Sequence, residues 1–252
     1  MPDILLAALE TAGLGWMILT TLVAGVVYGF AGFGAGLIFM PIAAAFVTPA
    51  TAIAAFAVSA LASVVTVFPR ALPLVDRKAV GVLIVSATVA ASFGIWVLRV
   101  ADTTVIRWFV VSTCAITLVA LIAGWRHAVA PRLTTRIGIG LATGFVGGIS
   151  GLLGPIMVLF QLAGRDAIAT TRATTLVFLT ITSLLLLPLM YLQGILTAEA
   201  VALGLVMLVP YGMGALVGQA LFLPDRERSY RVAAYVIIAA ATLMGLPIWD
   251  RL

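Results

Sequence analysis

The sequence predicts an all-α polytopic membrane protein built from two inverted repeats, each a broken re-entrant helical hairpin followed by three transmembrane helices. Three observations carry this. Hydrophobic residues make up 63% of the chain and charged ones 9%, with a mean hydropathy of +1.25, where an average soluble domain is roughly 25% charged. A glycine-rich stretch occurs twice: moving back 119 positions from Gly144, Gly148 and Gly151 lands on Gly25, Gly29 and Gly32. The basic residues gather in short clusters between apolar runs, as topology determinants do.

Apolar runs of about 20 residues, enough to cross roughly 30 Å of hydrocarbon, recur along the chain without the alternation of a barrel strand. Helices are therefore the expected spanning element. Residues 1–15 form a short start with no Lys or Arg, hence no secretory n-region, and Trp16 marks the headgroup level. Segment 16–47 is long for one crossing and short for two, with the glycine break in its middle. Spans follow at 50–68, 79–98 and 108–124, completing a first repeat over 1–124. A basic linker at 125–136 carries Arg126, His127, Arg132 and Arg136 around Pro131. The second repeat, 137–252, has its broken segment at 137–163 and spans at 167–191, 199–223 and 232–249.

Charge decides whether the broken segments cross, because cytoplasmic loops collect Lys and Arg. If they dip and return, 11 of the 14 basic residues share one side and 3 the other; if they cross, the division is 7 against 7. The dips are favoured. Each half then has an odd number of crossings, so the halves lie upside down relative to one another, with a periplasmic N-terminus. Inverted repeats with broken helices typify secondary transporters, and re-entrant pore loops of channels share part of the pattern.

A break inside the membrane is tolerated where it faces protein, water or ligand. The dense run Gly32-Phe33-Gly34-Ala35-Gly36 and its counterpart Ser150, Gly151 and Gly154 before Pro155 therefore read as irregular backbone lining a site. The arms restart near Gly36-Leu37 and at Pro155, a residue suited to a first helical turn. Such starts carry free N–H donors and partial positive charge, a setting for a small anion. Gly25, Gly29, Gly144 and Gly148, spaced by four, read as close helix packing, and Gly212, Gly214 and Gly218 beside Pro210 as packing plus a kink.

Arg172 stands early in a span, where its repeat mate is Ile53. Its planar fork suits sulfonate or carboxylate oxygens, or else it reaches cytoplasmic headgroups. Thr171, Thr175 and Thr182 share one helical face, as do Ser59, Ser63 and Thr66; these hydroxyls either bond their own carbonyls or, as with Ser59 and Thr175, contact the ligand. Tyr28, Tyr211 and Gln161 are polar at depth. No carboxylate lies deep in a span.

Other classes fit less well. Gly148-Ile149-Ser150-Gly151 matches the GxSG of intramembrane serine proteases, but a nucleophile needs a base and the single histidine is His127. No phosphate loop and no Cys/His cluster suggests an ATPase, cofactor or metal, and the lone Cys114 reads as core. The formal charge of +5 is explained by topology rather than nucleic acid. Expected partners are a small anion and the lipid bilayer, with a homodimer left open.

The doubled motif resembles that of the TauE/SafE sulfite exporter family, also called TSUP permeases, whose members have two related halves and a GxxxGxxGxGGG pattern before a proline. The first copy is Gly25, Gly29, Gly32, Gly34 and Gly36 with Pro41, departing at Ala35. The second is Gly144, Gly148, Gly151 and Gly154, with Leu153 and Pro155 in place of glycines. The resemblance implies a permease, not an enzyme, carrying sulfite, sulfoacetate or related organosulfonates across a bacterial inner membrane.

Overall fold

Polar caps set where several helices begin. In the computed structural model, which describes residues 2–124, 132–163, 168–221 and 227–248, Thr48 caps α4 (Pro49–Ser59) by accepting from the Thr51 N–H at 3.3 Å. Asp76 caps α7 (Arg77–Val100) through the amides of Lys78 and Ala79, at 3.0 and 3.2 Å. Asp102 caps α8 (Thr103–Ile122) through those of Thr104 and Val105, at 2.8 and 3.4 Å. Each side-chain oxygen satisfies donors that the first helical turn leaves free. The Asp102 cap starts α8 five residues before the expected span at 108, so the loop from α7 shrinks to Ala101 and Asp102.

The remaining elements are α1 (Pro2–Leu9), α2 (Leu14–Ala31), α3 (Ala35–Ala43), α5 (Ala62–Thr66), α6 (Phe68–Ala71), α9 (Leu133–Ser150), α10 (Gly154–Ala163), α11 (Ile168–Leu192), α12 (Ala198–Leu221) and α13 (Glu227–Met244), with a 3-10 turn at Leu72–Leu74. Among the described residues there is no strand. Six helical stretches among the described residues are long and apolar enough to cross a bilayer, and the chain is a multi-pass membrane protein.

Two differences from the expected spans have local causes. The stretch read as one span at 50–68 is three pieces, α4, α5 and α6. Ser59 and Ser63 there donate to the carbonyls three residues back, Phe56 and Ala60, and such bonds compete with the helical ladder. The short start before the first expected membrane segment contains a helix, α1, packed on α12. Arg126, His127, Arg165, Asp166, Arg226 and Arg251, and the side chain of Gln161, lie outside what the structure describes.

The first broken segment folds back on itself, and past the second break the chain rests on the helix before it. Gly34, after the first break, lies against Val27 of α2, and Leu153, after the second, lies against Gly147 of α9. Gly13 at the start of α2 touches Phe46 beyond the end of α3, so the first pair of arms leaves and returns at one end of the bundle. Residues 44–48 there share a hollow with Thr11, Thr103, Arg107 and Glu199.

Across the halves, helices pair closely and in parallel. On α2, Gly25 faces Tyr211 and Gly214 of α12, and Gly29, one turn later, faces Ala215 and Gly218. On α9, Gly140 faces Leu83 and Ser86 of α7, Gly144 faces Ala87, and Gly148 faces Ala91 and Gly94. These are backbone-to-backbone contacts of the kind small residues permit. The first half's α2 is thus bound to the second half's α12, and the second half's α9 to the first half's α7.

The ends of the bundle follow from these directions. Arg70, just before α7, donates to Gln219 near the end of α12 at 3.0 Å. Arg172, near the start of α11, reaches the last carbonyls of α2. Gln193, past the end of α11, donates to the Ser92 carbonyl in the later part of α7 at 2.8 Å. One end therefore gathers Arg70, Arg77, Lys78, Arg132, Arg136 and Arg172, while Arg99 and Arg107 lie at the other.

Candidate functional site

The two breaks are built alike. Gly32 ends α2 with φ 81°, its N–H bonded to the Tyr28 carbonyl at 2.8 Å, and Gly34 precedes α3 with φ 93°. Gly151 ends α9 with φ 72°, its N–H bonded to the Gly147 carbonyl at 2.7 Å. These left-handed conformations are ones only glycine adopts without strain, and they close a helix by satisfying its late carbonyls. After each, a new helix starts within three residues, at Ala35 and at Gly154, one residue before the starts expected at Gly36 and Pro155.

The breaks meet. Gly36 faces the Gly151 carbonyl and Leu152, while Gly151 rests on Ile53 and Met40. Between them lies a cavity bounded by Gly34 to Leu37 on one side and Gly151 to Pro155 on the other. Its free space is about 30 Å³, room for a water molecule or two. An oxyanion enters only if the surrounding helices part.

Aromatic rings and hydroxyls complete the wall. Tyr28 of α2 and Tyr211 of α12 lie with ring centres 6.0 Å apart, and Tyr211 meets Phe56 edge-on at 5.8 Å. Phe56 in turn stacks on Phe39 at 5.0 Å. Tyr28 donates to the Leu176 carbonyl at 3.2 Å and pairs with the Thr180 hydroxyl at 3.0 Å. Ser63, Thr180 and Ser183 join the lining.

Four of the expected site residues, Gly34, Gly36, Gly151 and Gly154, line this cavity; the others stand outside its lining. Gly32 lies under the aliphatic stem of Arg172, and Phe33 is buried in the core. Arg172 donates through Nε to the Phe30 carbonyl at 3.0 Å and through Nη2 to the Gly29 carbonyl. It closes the C-terminus of α2, where a cation also complements the helix dipole. Thr175 bonds the Thr171 carbonyl at 2.9 Å and Ser59 that of Phe56 at 2.8 Å. Ser150 donates to Val146 at 2.7 Å and accepts from the Leu152 N–H at 3.2 Å, so its hydroxyl is committed to the break.

Sequence reading missed Thr180 and Ser183. Their i, i+3 spacing puts them on one helical face, but choosing it over the Thr171–Thr175–Thr182 face requires knowing that Tyr28, 152 residues away, bonds Thr180. Outside the cavity, Cys114 is buried and its thiol points at the Leu37 carbonyl, 3.8 Å away.

Comparison with curated proteins and with solved structures returned no match. A family model described as sulfite exporter TauE/SafE matches residues 17–244, a stretch that holds both breaks and every residue of the cavity wall. Members of that family are transporters rather than enzymes. The chain belongs to the TauE/SafE sulfite exporter family.

Proposed function

We propose that this chain is a secondary carrier of small anions, with sulfite, sulfoacetate and related organosulfonates as cargo, bound in the cavity between the two breaks. One observation carries the reading: two helix starts, one from each half, border the same cavity. Each start offers unbonded N–H groups and partial positive charge, a combination that receives anions without a metal. The doubled motif, the fold-back of the first broken segment and the exchange of partners between the halves support inverted repeats as the framework. The clustering of Arg70, Arg77, Lys78, Arg132 and Arg136 at one end supports a cytoplasmic placement of that end and a periplasmic N-terminus in a bacterial inner membrane.

Two measurements test this. In proteoliposomes loaded with unlabelled sulfite, a carrier accumulates labelled sulfite by exchange, saturably; current without exchange identifies a channel instead. In detergent, a bound anion at 100 times its dissociation constant raises stability by about 2.7 kcal/mol, so a panel of small anions that shifts no melting temperature removes the cavity as a binding site. For orientation, cysteines placed at Lys78 and Thr104 are expected to label from the cytoplasm and the periplasm respectively.

A further inference from the structure

We infer that the hollow at the Arg107 end of the bundle, together with the groove beside it, binds one zwitterionic phospholipid, with a phosphoethanolamine headgroup in the hollow and an acyl chain in the groove. This site is separate from the cavity between the breaks and does not rest on the cargo proposed for that cavity.

The hollow is roomy and carries both signs of charge. It lies where α1 and α3 end and where α4, α8 and α12 begin, so it stands at headgroup level rather than in the hydrocarbon. Its free space is about 490 Å³, within the roughly 300–1,000 Å³ of small-molecule sites. Among the described residues, its charged lining side chains are Arg107 of α8, half-buried, and Glu199 of α12, exposed. Glu199 enters no ion pair among the described residues. A guanidinium fork suits the oxygens of a phosphodiester, and a carboxylate accepts from a primary ammonium. Thr11, Thr48 and Thr103 add hydroxyls to the same wall. An anionic headgroup brings nothing to Glu199, whereas a zwitterion answers both charges.

The groove supplies the direction. It shares Thr11 with the hollow and is bordered by Gly13, Leu14, Gly15, Trp16 and Leu19 at the start of α2. About 440 Å³ of space lies there, and a β-carbon on Gly15 would meet nothing within 4 Å. Trp16 and Leu19, 53% and 51% exposed, stand three residues apart on one side of the helix. Because α2 starts at this end and runs inward, the groove leads from the headgroup layer, which an exposed tryptophan marks, toward the acyl chains. A polar hollow continuous with an apolar groove has the two-part shape of a lipid; a soluble ligand would use only the first part.

The test measures lipid binding to detergent-purified, delipidated protein by native mass spectrometry, comparing dioleoyl phosphatidylethanolamine, phosphatidylcholine and phosphatidylglycerol. One phosphatidylethanolamine per chain is expected to bind roughly tenfold more tightly than phosphatidylglycerol, the factor that one charge-assisted hydrogen bond supplies. Phosphatidylcholine, whose cation carries no N–H, is expected between them. Glu199→Gln is expected to abolish the preference, and Arg107→Gln to weaken phosphatidylethanolamine and phosphatidylglycerol alike. Gly15→Phe, which fills the groove, is expected to weaken all three lipids. Free phosphoethanolamine, which has no chain to place there, is expected to displace none of them at equal concentration. Equal binding of phosphatidylethanolamine and phosphatidylglycerol by the wild type overturns the inference, as does a preference that survives Glu199→Gln. Displacement by free phosphoethanolamine as effective as by the lipid itself also overturns it, in favour of a soluble ligand. Should Arg107→Gln fail to fold, the wild type and Glu199→Gln, whose side chain is exposed, still decide the outcome.

Discussion

The Ala87 carbonyl fills the position that a β-carbon on Gly144 would occupy. The contact brings α7 and α9 to backbone distance, and the neighbouring steps at Gly140 and Gly148 leave the pair little freedom to shift. Gly144→Ala is therefore expected to lower stability by about 1–3 kcal/mol, the usual cost of overpacking. On the same α7, Gly81 has open space where a β-carbon would go, and Gly81→Ala is expected to gain up to about 1 kcal/mol from helix propensity. Thermal unfolding of the two variants in one detergent checks both signs.

Arg172 is expected to behave as a structural group. Arg172→Ala removes charge-assisted bonds to two carbonyls of α2, a loss of about 1.5–3 kcal/mol by the usual worth of such bonds. Arg172→Lys keeps the charge without the planar fork and is expected to fall between. Melting temperature reads this directly; if both variants melt like the wild type while sulfite affinity drops, the arginine belongs to the substrate instead.

The pair Thr21 and Met207, in contact at 3.3 Å, tests what moves during transport. Because α2 and α12 touch through backbone, cysteines at these positions, once joined, are expected to leave anion exchange intact. Joining Gly36→Cys to Leu152→Cys across the breaks is expected to stop it. Exchange measured before and after oxidation, in a Cys114→Ala background, separates the two; a block by the first link would mean that α2 slides on α12.

Asp102 gives a pH signature. The amide of Thr104, followed by its hydroxyl and the amide of Val105, holds the Asp102 carboxyl below its usual range. A carboxyl whose folded pKa is depressed stabilises the protein above its unfolded pKa, and that contribution is lost as pH falls through the folded value. Melting temperatures of the wild type and Asp102→Asn are expected to run parallel near neutrality. Below about pH 4, the unfolded carboxylate range, the wild type is expected to fall more steeply.

Much of this architecture can be read from the chain, for identifiable reasons. The stretches suited to crossing are long apolar runs, and the breaks announce themselves because left-handed backbone at Gly32, Gly34 and Gly151 admits little but glycine. Gly25, Gly29, Gly144 and Gly148, read as packing residues from their spacing, do face other helices at backbone distance. The helix partners themselves were hidden, since spacing along one helix says nothing about which other helix it meets. For the same reason the chain alone leaves Arg172 between cargo and headgroups: the carbonyls it meets are 142 and 143 residues away. The division between α4 and α5 escaped notice because it comes with serine hydroxyls rather than with glycine or proline; the one before α6 coincides with Pro69.

The exchange of helices between halves also bears on how the polypeptide matures. Thr21 waits 186 residues for Met207 to be synthesised, so the nascent N-terminal arm enters the lipid with its glycine face uncovered. By contrast α7, made after α2, has a shorter wait and is covered when α9 emerges. Neither half expressed alone holds a complete set of partners, whereas two fragments divided between α8 and α9 and made together contain all of them.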